Sequence, residues 1–386
     1  MNALRTLVYF GHVPEEGAGS AIIVYRHLRR FAASGWTIRI VADWGQDHGI
    51  CRRHDWPVLQ LSHRNKYWPP FNPDHALSRA VRAWLWAREV RTWLGSTRPD
   101  AAFTYLSAFS DTLSLAAAGF AKRYRLPLAT IIHDDSRCFA DSPADGVRAH
   151  ARRQWIVENS TKAWFASENL AACFQPPPGV ADVLPPIPEG IALDPTSRIG
   201  VHGPLLVYAG NYWPPQLVTL ARIAAAVRPV GARVEAVIKD DPKVQTTCAD
   251  AGISWRPPWS KNTDALRYFA TEASAMLVSY GETSDAMPWT RSSFPSKLIE
   301  YCHLGLPLAI VAPDDTAVVA WARERSFPDV FRPNDDAGLA RYAKALRDPA
   351  FRSQRGALSR RFAESEFNAV AIQRKLQDSL MMPLVA

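Results

Sequence analysis

A proline-rich stretch near the middle of the 386-residue chain constrains the fold more than any other feature. Residues 176–200 contain seven prolines, and proline removes a backbone donor and interrupts helices and central strands. A single hydrophobic core stops growing at about 250–300 residues, so a chain of this length is expected to hold two cores. We predict a first domain over residues 1–185, a linker at 186–200 and a second domain over 201–363.

Each half of the chain repeats the same alternation of short apolar runs and helical patterns. In the first half, an apolar run at Leu4–Phe10 leads through a glycine-containing loop and a helical stretch to a second run at Thr37–Ala42. After the prolines the alternation restarts at Leu205–Ala209. This order predicts two α/β domains with parallel, doubly wound sheets. Because ligands of such sheets bind at the carboxyl ends of the strands, we expect the site in a cleft between the domains.

Composition excludes several classes of protein. With 47% hydrophobic and 21% charged residues, the chain is expected to fold as a soluble globular protein rather than a disordered or fibrous one. No apolar run reaches the roughly 18–20 residues of a membrane span, and the first residues lack the pattern of a signal peptide. Five cysteines without a Cys-x-x-Cys pair indicate reduced thiols, so a cytoplasmic location is expected.

A net charge of +8 indicates an anionic partner. Nucleic acid, an acidic membrane surface and phosphorylated small molecules all fit that charge. The sequence has no long Lys/Arg block and no RNP-like aromatic motif, so nucleic acid is not expected.

The segment 291–307 carries the strongest local signal. A helix is expected to begin near Pro295 and to end at the following glycine and proline. Ser296, Lys297 and Glu300 then share one side of the first turns. The N-terminus of a helix and a lysine suit a diphosphate, and Glu300 could accept hydrogen bonds from ribose hydroxyls. The alternative is an ordinary surface helix with a solvated Lys–Glu pair.

The stretch FPSKLIEYCHLGLPLAIV resembles the Pro-Ser-Lys-x-x-Glu segment of retaining glycosyltransferases of family 4, which have the GT-B fold. Other landmarks follow in the family's order: Gly17 and Gly19 after the first strand, the pair His133-Asp134, the proline-rich LPPIPEG, and Gly210-Asn211 after VYA. The resemblance implies transfer of a hexose-like sugar from a nucleotide diphosphate donor to a glycan or lipid-linked acceptor in polysaccharide synthesis. It also implies a retained anomeric configuration, no metal or other cofactor, and a C-terminal helix at about 364–386 that returns to the first domain.

The resemblance places the donor mainly on the second domain and the acceptor on the first. Donor contacts are implied at Gly17, Gly19, Gly210, Asn211, Lys239, Arg291, Ser296, Lys297 and Glu300. His133 is expected beside the donor sugar, where it would contact hydroxyls, and Asp134 and Asp135 on the acceptor side. The alternative for His133 is a strand-end histidine satisfied by a backbone carbonyl.

Two departures from the family pattern leave the activity open. Ser292 stands eight residues before Glu300, where many members carry a second glutamate, and Gly210 is followed by Asn-Tyr-Trp-Pro instead of by cations. Lys239, Arg291 and Lys297 are therefore the candidates to offset the donor's negative charge. The departures also admit a non-catalytic relative that binds a sugar nucleotide or a glycan.

A nicotinamide-dependent oxidoreductase is the other alternative. Gly17 and Gly19 match the first two glycines of a dinucleotide fingerprint, but Ile22 replaces the third. Asp43 could hold a ribose. No tyrosine is followed four residues later by lysine, the pair that a short-chain reductase would use.

Metal signals are weak. The sequence contains no Asp-x-Asp, and His48, Cys51 and His54, spaced three apart, would diverge around a helix. They are expected to be part of a polar loop.

A basic and aromatic stretch at 66–98 predicts contact with an anionic membrane surface. Residues 79–98 contain five arginines and one glutamate. Leu77, Ala80, Val81, Trp84 and Leu85 follow the pattern of a packed helix face, whereas Trp86, Val90 and Trp93 form a second stripe. Lys66, Tyr67, Trp68 and Phe71 lie upstream. Tryptophans among arginines suit a headgroup interface. The alternative is that the second stripe packs on a neighbouring helix.

Overall fold

The computed structural model describes residues 5–17, 19–42, 48–61, 76–106, 111–191, 193, 195 and 203–381. It consists of two compact units whose boundary falls within the proline-rich stretch, between Pro185 and Pro186. Glu16, Gly17 and Gly19 group with the second unit, and the chain from Val370 onward groups with the first.

The first unit is built on a parallel sheet. Its strands are β1 (Arg5–Phe10), β2 (Trp36–Ala42), β3 (Val58–Gln60), β4 (Ala101–Leu106), β5 (Leu128–Ile132), β6 (Lys162–Phe165) and β7 (Ala181–Val183). Its helices are α1 (Ser20–Ala33), α2 (Gly49–Arg53), α3 (Ala76–Leu94), α4 (Thr112–Tyr124), α5 (Pro143–Glu158) and α6 (Glu168–Ala171). The strand order is β3-β2-β1-β4-β5-β6-β7, and β1, β4 and β5 are buried almost throughout, as expected when helices cover both faces.

The second unit repeats this architecture with six strands. They are β8 (Leu205–Ala209), β9 (Arg233–Val237), β10 (Ser254–Arg256), β11 (Ala275–Ser279), β12 (Leu308–Val311) and β13 (Val330–Phe331). The helices are α7 (Pro214–Val227), α8 (Pro242–Ala251), α9 (Asn262–Glu272), α10 (Ser296–His303), α11 (Ala317–Glu324), α12 (Asp336–Ala345) and α13 (Pro349–Ser365). All strands are parallel, in the order β10-β9-β8-β11-β12-β13. Successive strands are added towards one edge from β8 to β10 and towards the other edge from β11 to β13, so the strand order reverses between β8 and β11. The structure thus confirms the prediction of two Rossmann-like domains with parallel sheets.

Part of the proline-rich stretch, ahead of the predicted linker, is regular structure. β7 lies inside the proline-rich stretch and pairs with β6 at the edge of the first sheet. An edge strand needs only one row of ladder donors, so prolines can flank it without breaking the sheet.

The C-terminal helix that the resemblance implies at about 364–386 is the second of two consecutive helices. α13 ends at Ser365, and α14 (Ala369–Ser379) follows after a break at Phe367, which is buried against Trp321. α14 packs in the first unit, where the Gln373 amide oxygen lies 2.8 Å from Nδ1 of His27 in α1.

The packing of α3 corrects the predicted helix faces. Trp86 and Val90, assigned to the outer stripe, are buried at 4% and 0% exposure, whereas Trp84, assigned to the packed face, is 42% exposed. Trp93 is half-buried beneath the Arg39 guanidinium, 5.7 Å from its ring centroid. Apolar residues on both sides of the helix made the two faces indistinguishable by sequence.

Part of the predicted basic stretch cannot be placed. Residues 66–75, with Lys66, Tyr67, Trp68 and Phe71, lie outside the described residues, as do the side chains of Leu77, Arg79 and Ala80. None of the described helices is long and apolar enough to cross a membrane.

Gly356 in α13 provides a test of the packing in the second unit. A Cβ at this position would lie 2.1 Å from the carbonyl oxygen of Gly305, so a side chain forces two backbones apart. Alanine is favoured over glycine inside a helix by about 1 kcal/mol, but overpacking costs about 1–3 kcal/mol and should outweigh it. Because the added Cβ meets a backbone oxygen, the cost is expected near the upper end of that range, and Gly356→Ala should lower the free energy of unfolding by about 1–2 kcal/mol in urea denaturation.

Gly146→Ala in α5 is the matched control for that change. The atoms nearest to its added Cβ are 3.4–3.6 Å away, so this substitution should be neutral or stabilising. Equal destabilisation by both changes would contradict the close approach at Gly305.

Candidate functional site

The candidate site lies at the carboxyl edge of the second sheet. Because the strand order reverses between β8 and β11, the loops that follow these strands diverge and leave a crevice. Gly210 and Asn211 follow β8 directly, Lys239 follows β9, and the segment 280–295 after β11 leads into α10. Seven of the sequence-predicted site residues therefore belong to this one edge: Gly210, Asn211, Lys239, Arg291, Ser296, Lys297 and Glu300.

Lys297, in the first turn of α10, points back to the end of β8. Its ammonium donates a hydrogen bond of 2.9 Å to the hydroxyl oxygen of Tyr208 and lies 4.0 Å from the centroid of that ring. A Cβ at Gly210 would lie 3.2 Å from the Lys297 Nζ. Gly210 has a φ of +122°, which L side chains rarely adopt. Glycine thus lets the backbone and the ammonium come close together.

The Lys297 ammonium has no ionic partner in the part of the chain that the structure describes. Burial lowers its pKa to about 7, because the charged form is poorly solvated beside the Tyr208 ring. An anion bound here would stabilise the ammonium and raise that pKa again. The geometry therefore favours a negatively charged ligand.

A hydrogen-bond network beneath Lys297 fixes the loop after β8. The buried Tyr208 hydroxyl donates to the Asn211 carbonyl oxygen at 2.7 Å. The side chain of Gln216 accepts from the Trp213 backbone N–H at 2.9 Å and donates to the Ser279 carbonyl oxygen at 2.7 Å. Tyr208 and Gln216 thus tie the β8 loop to α7 and to the end of β11. No sequence pattern pointed to either residue.

Ser296 and Glu300 occupy the side of α10 that their spacing predicts. Ser296 is exposed as the first helical residue, after Pro295 at the N-cap. Glu300 is half-buried, and its Oε1 accepts a hydrogen bond of 3.3 Å from the backbone N–H of Glu189. The proline-rich stretch therefore contacts the site directly, which the sequence did not indicate.

The other two candidate cations differ from Lys297. Arg291 is exposed and pairs with Asp285 at 2.5 Å and with Asp315 at 3.0 Å. These hydrogen bonds raise its pKa, and much of its charge is already matched. Lys239 is exposed at the end of β9. Lys297 is therefore the best-placed cation to meet a ligand's negative charge.

An aromatic pair that the sequence did not single out borders the same loops. The rings of Trp213 and Trp289 lie 4.4 Å apart at an angle of 49°. Trp213 is 39% exposed, so the pair presents an aromatic surface at this edge of the sheet.

In the first unit, His133 follows β5 at the carboxyl edge of its sheet. The ring contacts Tyr105 edge-on at 4.9 Å and is only 9% exposed. Burial lowers its pKa to about 3, and the neighbouring His27 adds a smaller effect in the same direction. His133 is therefore a neutral imidazole near pH 7, able to donate from one ring nitrogen and accept at the other.

The two aspartates after His133 are held by arginines. Asp135 forms a 2.7 Å ion pair with Arg137; burial raises the pKa of this carboxyl, but the hydrogen bonds from Arg137 lower it more. The backbone oxygen of Asp134 accepts from the buried Arg153 at 3.0 Å. This arrangement fixes the backbone beside His133.

The remaining positions that the sequence singled out lie outside these two groups of residues. Gly17 and Gly19 lie in an open loop before α1, with no atom within 4 Å of an added Cβ. Asp43 lies outside the described residues. Nε2 of His54 is 3.1 Å from the hydroxyl of Tyr25. The described ranges contain no group of three or more His, Cys, Asp or Glu side chains that could hold a metal ion.

Comparison with known proteins rests on structure. Neither a protein family model nor a curated protein matches the sequence. A glycosyltransferase from Rickettsia africae matches with a TM-score of 0.71 at 11% identity over 98% of each chain. HepE from Anabaena, in complex with UDP and glucose, matches with a TM-score of 0.67 at 10% identity over 98% of this chain and 99% of HepE. WaaG, a glycosyltransferase involved in lipopolysaccharide biosynthesis, matches with a TM-score of 0.60 at 15% identity over 97% and 99%. These likenesses establish the GT-B fold.

The neutral state of His133 predicts a pH dependence of stability. The ordinary pKa of histidine is near 6.5, and the folded value is about 3, so below pH 6.5 the unfolded chain binds a proton that the folded chain does not. Stability is therefore fully present above pH 6.5 and falls as the pH drops towards 3. Between pH 7 and pH 5 the titration of this one residue should lower the free energy of unfolding by about 2 kcal/mol.

His133→Phe keeps a ring against Tyr105 but removes the titrating group. We expect its loss of stability between pH 7 and pH 5 to be smaller than that of the wild type by about 2 kcal/mol. Hydrogen exchange of peptides from β5 across a urea series measures the stability of the first unit. An unchanged acid loss in the variant would rule out a buried, neutral His133.

Proposed function

We propose that the protein is a glycosyltransferase that moves a sugar from a nucleotide diphosphate donor to a hydroxyl group of a glycan or lipid-linked acceptor. The observation that carries this proposal is the Lys297 ammonium beside the backbone of Gly210, without a carboxylate partner among the described side chains. The Pro-Ser-Lys-x-x-Glu segment and the likeness to HepE with UDP and glucose support it.

The chemistry needs a group that stabilises a departing diphosphate. The bond from the sugar C1 to the diphosphate oxygen breaks, and the acceptor hydroxyl oxygen forms the new bond to C1. Its proton passes to the leaving diphosphate oxygen. Lys297 and the positive end of the α10 helix dipole offset the negative charge that develops, and Glu300 accepts hydrogen bonds from the ribose hydroxyls. Attack on the face that the diphosphate leaves would retain the anomeric configuration.

His133 has a hydrogen-bonding role in this proposal. With a pKa of about 3, the ring is not protonated to the imidazolium near neutral pH and cannot act as a general acid. A neutral ring can still bind sugar hydroxyls through its two nitrogens. This assignment agrees with a mechanism in which the diphosphate itself accepts the acceptor's proton.

The reaction is proposed to need no metal or other cofactor. The sequence contains no Asp-x-Asp, and no cluster of potential metal ligands lies within the described ranges. Lys297 would supply in the second unit the positive charge that a divalent cation supplies in other transferases.

A non-catalytic protein that binds a sugar nucleotide is the second candidate function. Ser292 in place of a glutamate and the absence of cations directly after Gly210 favour it. Release of UDP from UDP-sugars in the presence of candidate acceptors separates the two, because a binding protein releases no UDP by turnover.

Lys297→Met tests the donor site, since it keeps the length of the side chain and removes the charge. We expect turnover to fall by roughly 10²–10³, the usual effect of losing one group that stabilises developing charge. The thermal shift caused by UDP should also shrink. Lys344→Met, at an exposed position on α12, is the matched control and should behave like the wild type. Wild-type turnover and UDP shift in Lys297→Met would refute the assignment.

We also propose that the first unit contacts an anionic membrane surface, where a lipid-linked acceptor would be presented. The exposed ring of Trp84 has the guanidinium groups of Arg88 and Arg123 at 5.9 Å and 5.8 Å from its centroid. Arg123 belongs to α4 and also lies 5.9 Å from the ring of Tyr124. An aromatic ring flanked by arginines suits the headgroup region of a bilayer. Trp84 thus replaces the buried Trp86 in the membrane hypothesis.

Vesicle co-sedimentation measures this contact. We expect binding to rise with anionic lipid and to fall with salt, since each basic residue near the surface adds about 1 kcal/mol. Trp84→Ser and Arg123→Gln should each weaken binding several-fold, whereas Val218→Ser, an exposed apolar position on α7, should not. Equal recovery with neutral and anionic vesicles, or no binding to either, would refute the membrane proposal.

A further inference from the structure

Two buried tyrosines lie at the end of β8, and their hydroxyl groups have different partners. The hydroxyl of Tyr301, in α10, accepts from the backbone N–H of Ala209 at 3.2 Å and donates to the Ala209 carbonyl oxygen at 3.0 Å. The hydroxyl of Tyr208 instead lies between the Asn211 carbonyl oxygen and the Lys297 ammonium. Tyr301 therefore braces backbone, whereas Tyr208 also contacts a charged side chain.

The single hydroxyl proton of Tyr208 is already used. Its acceptors are the Asn211 carbonyl oxygen at 2.7 Å and, at a longer distance of 3.3 Å, the side-chain oxygen of Gln216. The lone pairs of the hydroxyl oxygen therefore face the Lys297 ammonium at 2.9 Å. Burial raises the pKa of Tyr208, which keeps the phenol neutral. Its oxygen therefore acts as an acceptor for the ammonium and does not become a charged counter-ion.

A lysine that must meet an anion gains from being held in place. Its four-carbon side chain has many rotamers, and fixing it on ligand binding would cost entropy. Here the Tyr208 ring lies under the ammonium at 4.0 Å, a favourable cation–π distance. The missing side chain of Gly210 leaves room for the ammonium on the other side.

We propose that Tyr208 is a positioning residue for Lys297. The hydroxyl oxygen and the ring of Tyr208 hold the Lys297 ammonium against the backbone of Gly210 before a ligand arrives. The contact itself is a property of the second unit, but its effect on catalysis rests on the proposed function. Tyr208 also donates to the β8 loop through Asn211, so the same side chain orients both the charge and the adjacent backbone.

Among the described residues around Lys297, Tyr208 makes the main stabilising contact with the Lys297 ammonium. β11 carries no titratable side chain, and Tyr208 is the titratable residue of β8. On α10 itself, Glu300 and Tyr301 follow Lys297, with contacts to Glu189 and Ala209 respectively. From α13, Arg360 lies at Gly305, beyond the opposite end of α10. A hydrogen bond to the ammonium favours the charged form, so Tyr208 opposes the effect of burial.

Tyr208→Phe tests the proposal by removing one oxygen atom and keeping the ring. Trace acylation over a range of pH, followed by mass spectrometry of the peptide containing Lys297, measures the pKa of this amine directly. We expect the variant to lower that pKa by about one unit. Tyr301→Phe removes an equally buried hydroxyl with no bond to Lys297 and should leave the pKa unchanged. Circular dichroism checks that both variants are folded.

The pH profile of kcat/KM for a UDP-sugar gives an independent readout. If the ammonium is required, activity falls as the pH rises through the pKa of Lys297, and Tyr208→Phe should move this alkaline limb to lower pH by about one unit. Tyr301→Phe should leave the limb in place, even where it lowers stability. In Tyr208→Phe, replacing Lys297 by arginine should abolish the limb, because a guanidinium stays charged.

The two readouts separate the positioning role from the proposed function. An unchanged Lys297 pKa in folded Tyr208→Phe would overturn the positioning role. A shifted pKa together with wild-type turnover in Lys297→Met would retain that role and reject the donor site. If Tyr208→Phe does not fold, acylation of wild-type protein with and without UDP still tests the prior position. Even without UDP, the free amine of Lys297 should react more slowly than that of the exposed Lys344; equal rates for the two free amines would contradict it.

Discussion

The parallel pairing of every strand decides where the functional side chains lie. Each strand must be followed by a return crossing before the next parallel strand begins, so every loop after a strand emerges at the same edge of its sheet. In the second sheet this edge collects the loops after β8, β9, β11 and β12. Residues distant in sequence, such as Tyr208 and Lys297, meet at 2.9 Å for this reason.

The candidate site keeps a positive charge available for a ligand at a cost in stability. Placing a lysine in a poorly solvated position without a counter-ion is unfavourable, as the lowered pKa of Lys297 shows. The fold offsets part of that cost through the Tyr208 hydroxyl and ring rather than through a carboxylate. A carboxylate would have satisfied the charge, as Asp285 and Asp315 do for Arg291. The tyrosine instead leaves the charge free for an anionic ligand.

Sequence patterns predicted the fold and the relative placement of three residues of the candidate site. Alternating apolar and helical runs predicted both parallel sheets, and the spacing of Ser296, Lys297 and Glu300 placed them on one side of α10. The role of Tyr208 could not be predicted, because a tyrosine within an apolar strand looks like an ordinary core residue until its tertiary partners are known. The contact of Glu189 with Glu300 joins residues 111 positions apart and leaves no local signal.

The errors on α3 have a different physical cause. The helix carries apolar residues around much of its circumference, so periodicity alone could not tell the packed face from the outer one. Trp86 is buried in the helix that packs on α4, and the exposed ring of Trp84 is flanked by Arg123 of α4. Such a surface is assembled by two helices, and a pattern within one helix does not reveal it.

A crystal structure of the protein with UDP tests the central claim most directly. We predict that an oxygen of the diphosphate lies within hydrogen-bond distance of the Lys297 Nζ, about 3 Å, and that the ribose hydroxyls donate to Glu300. Lys297 should keep its contact with Tyr208, because an ammonium has three donors. A diphosphate bound away from the carboxyl edge of the second sheet, with Lys297 contacting only Tyr208, would contradict it.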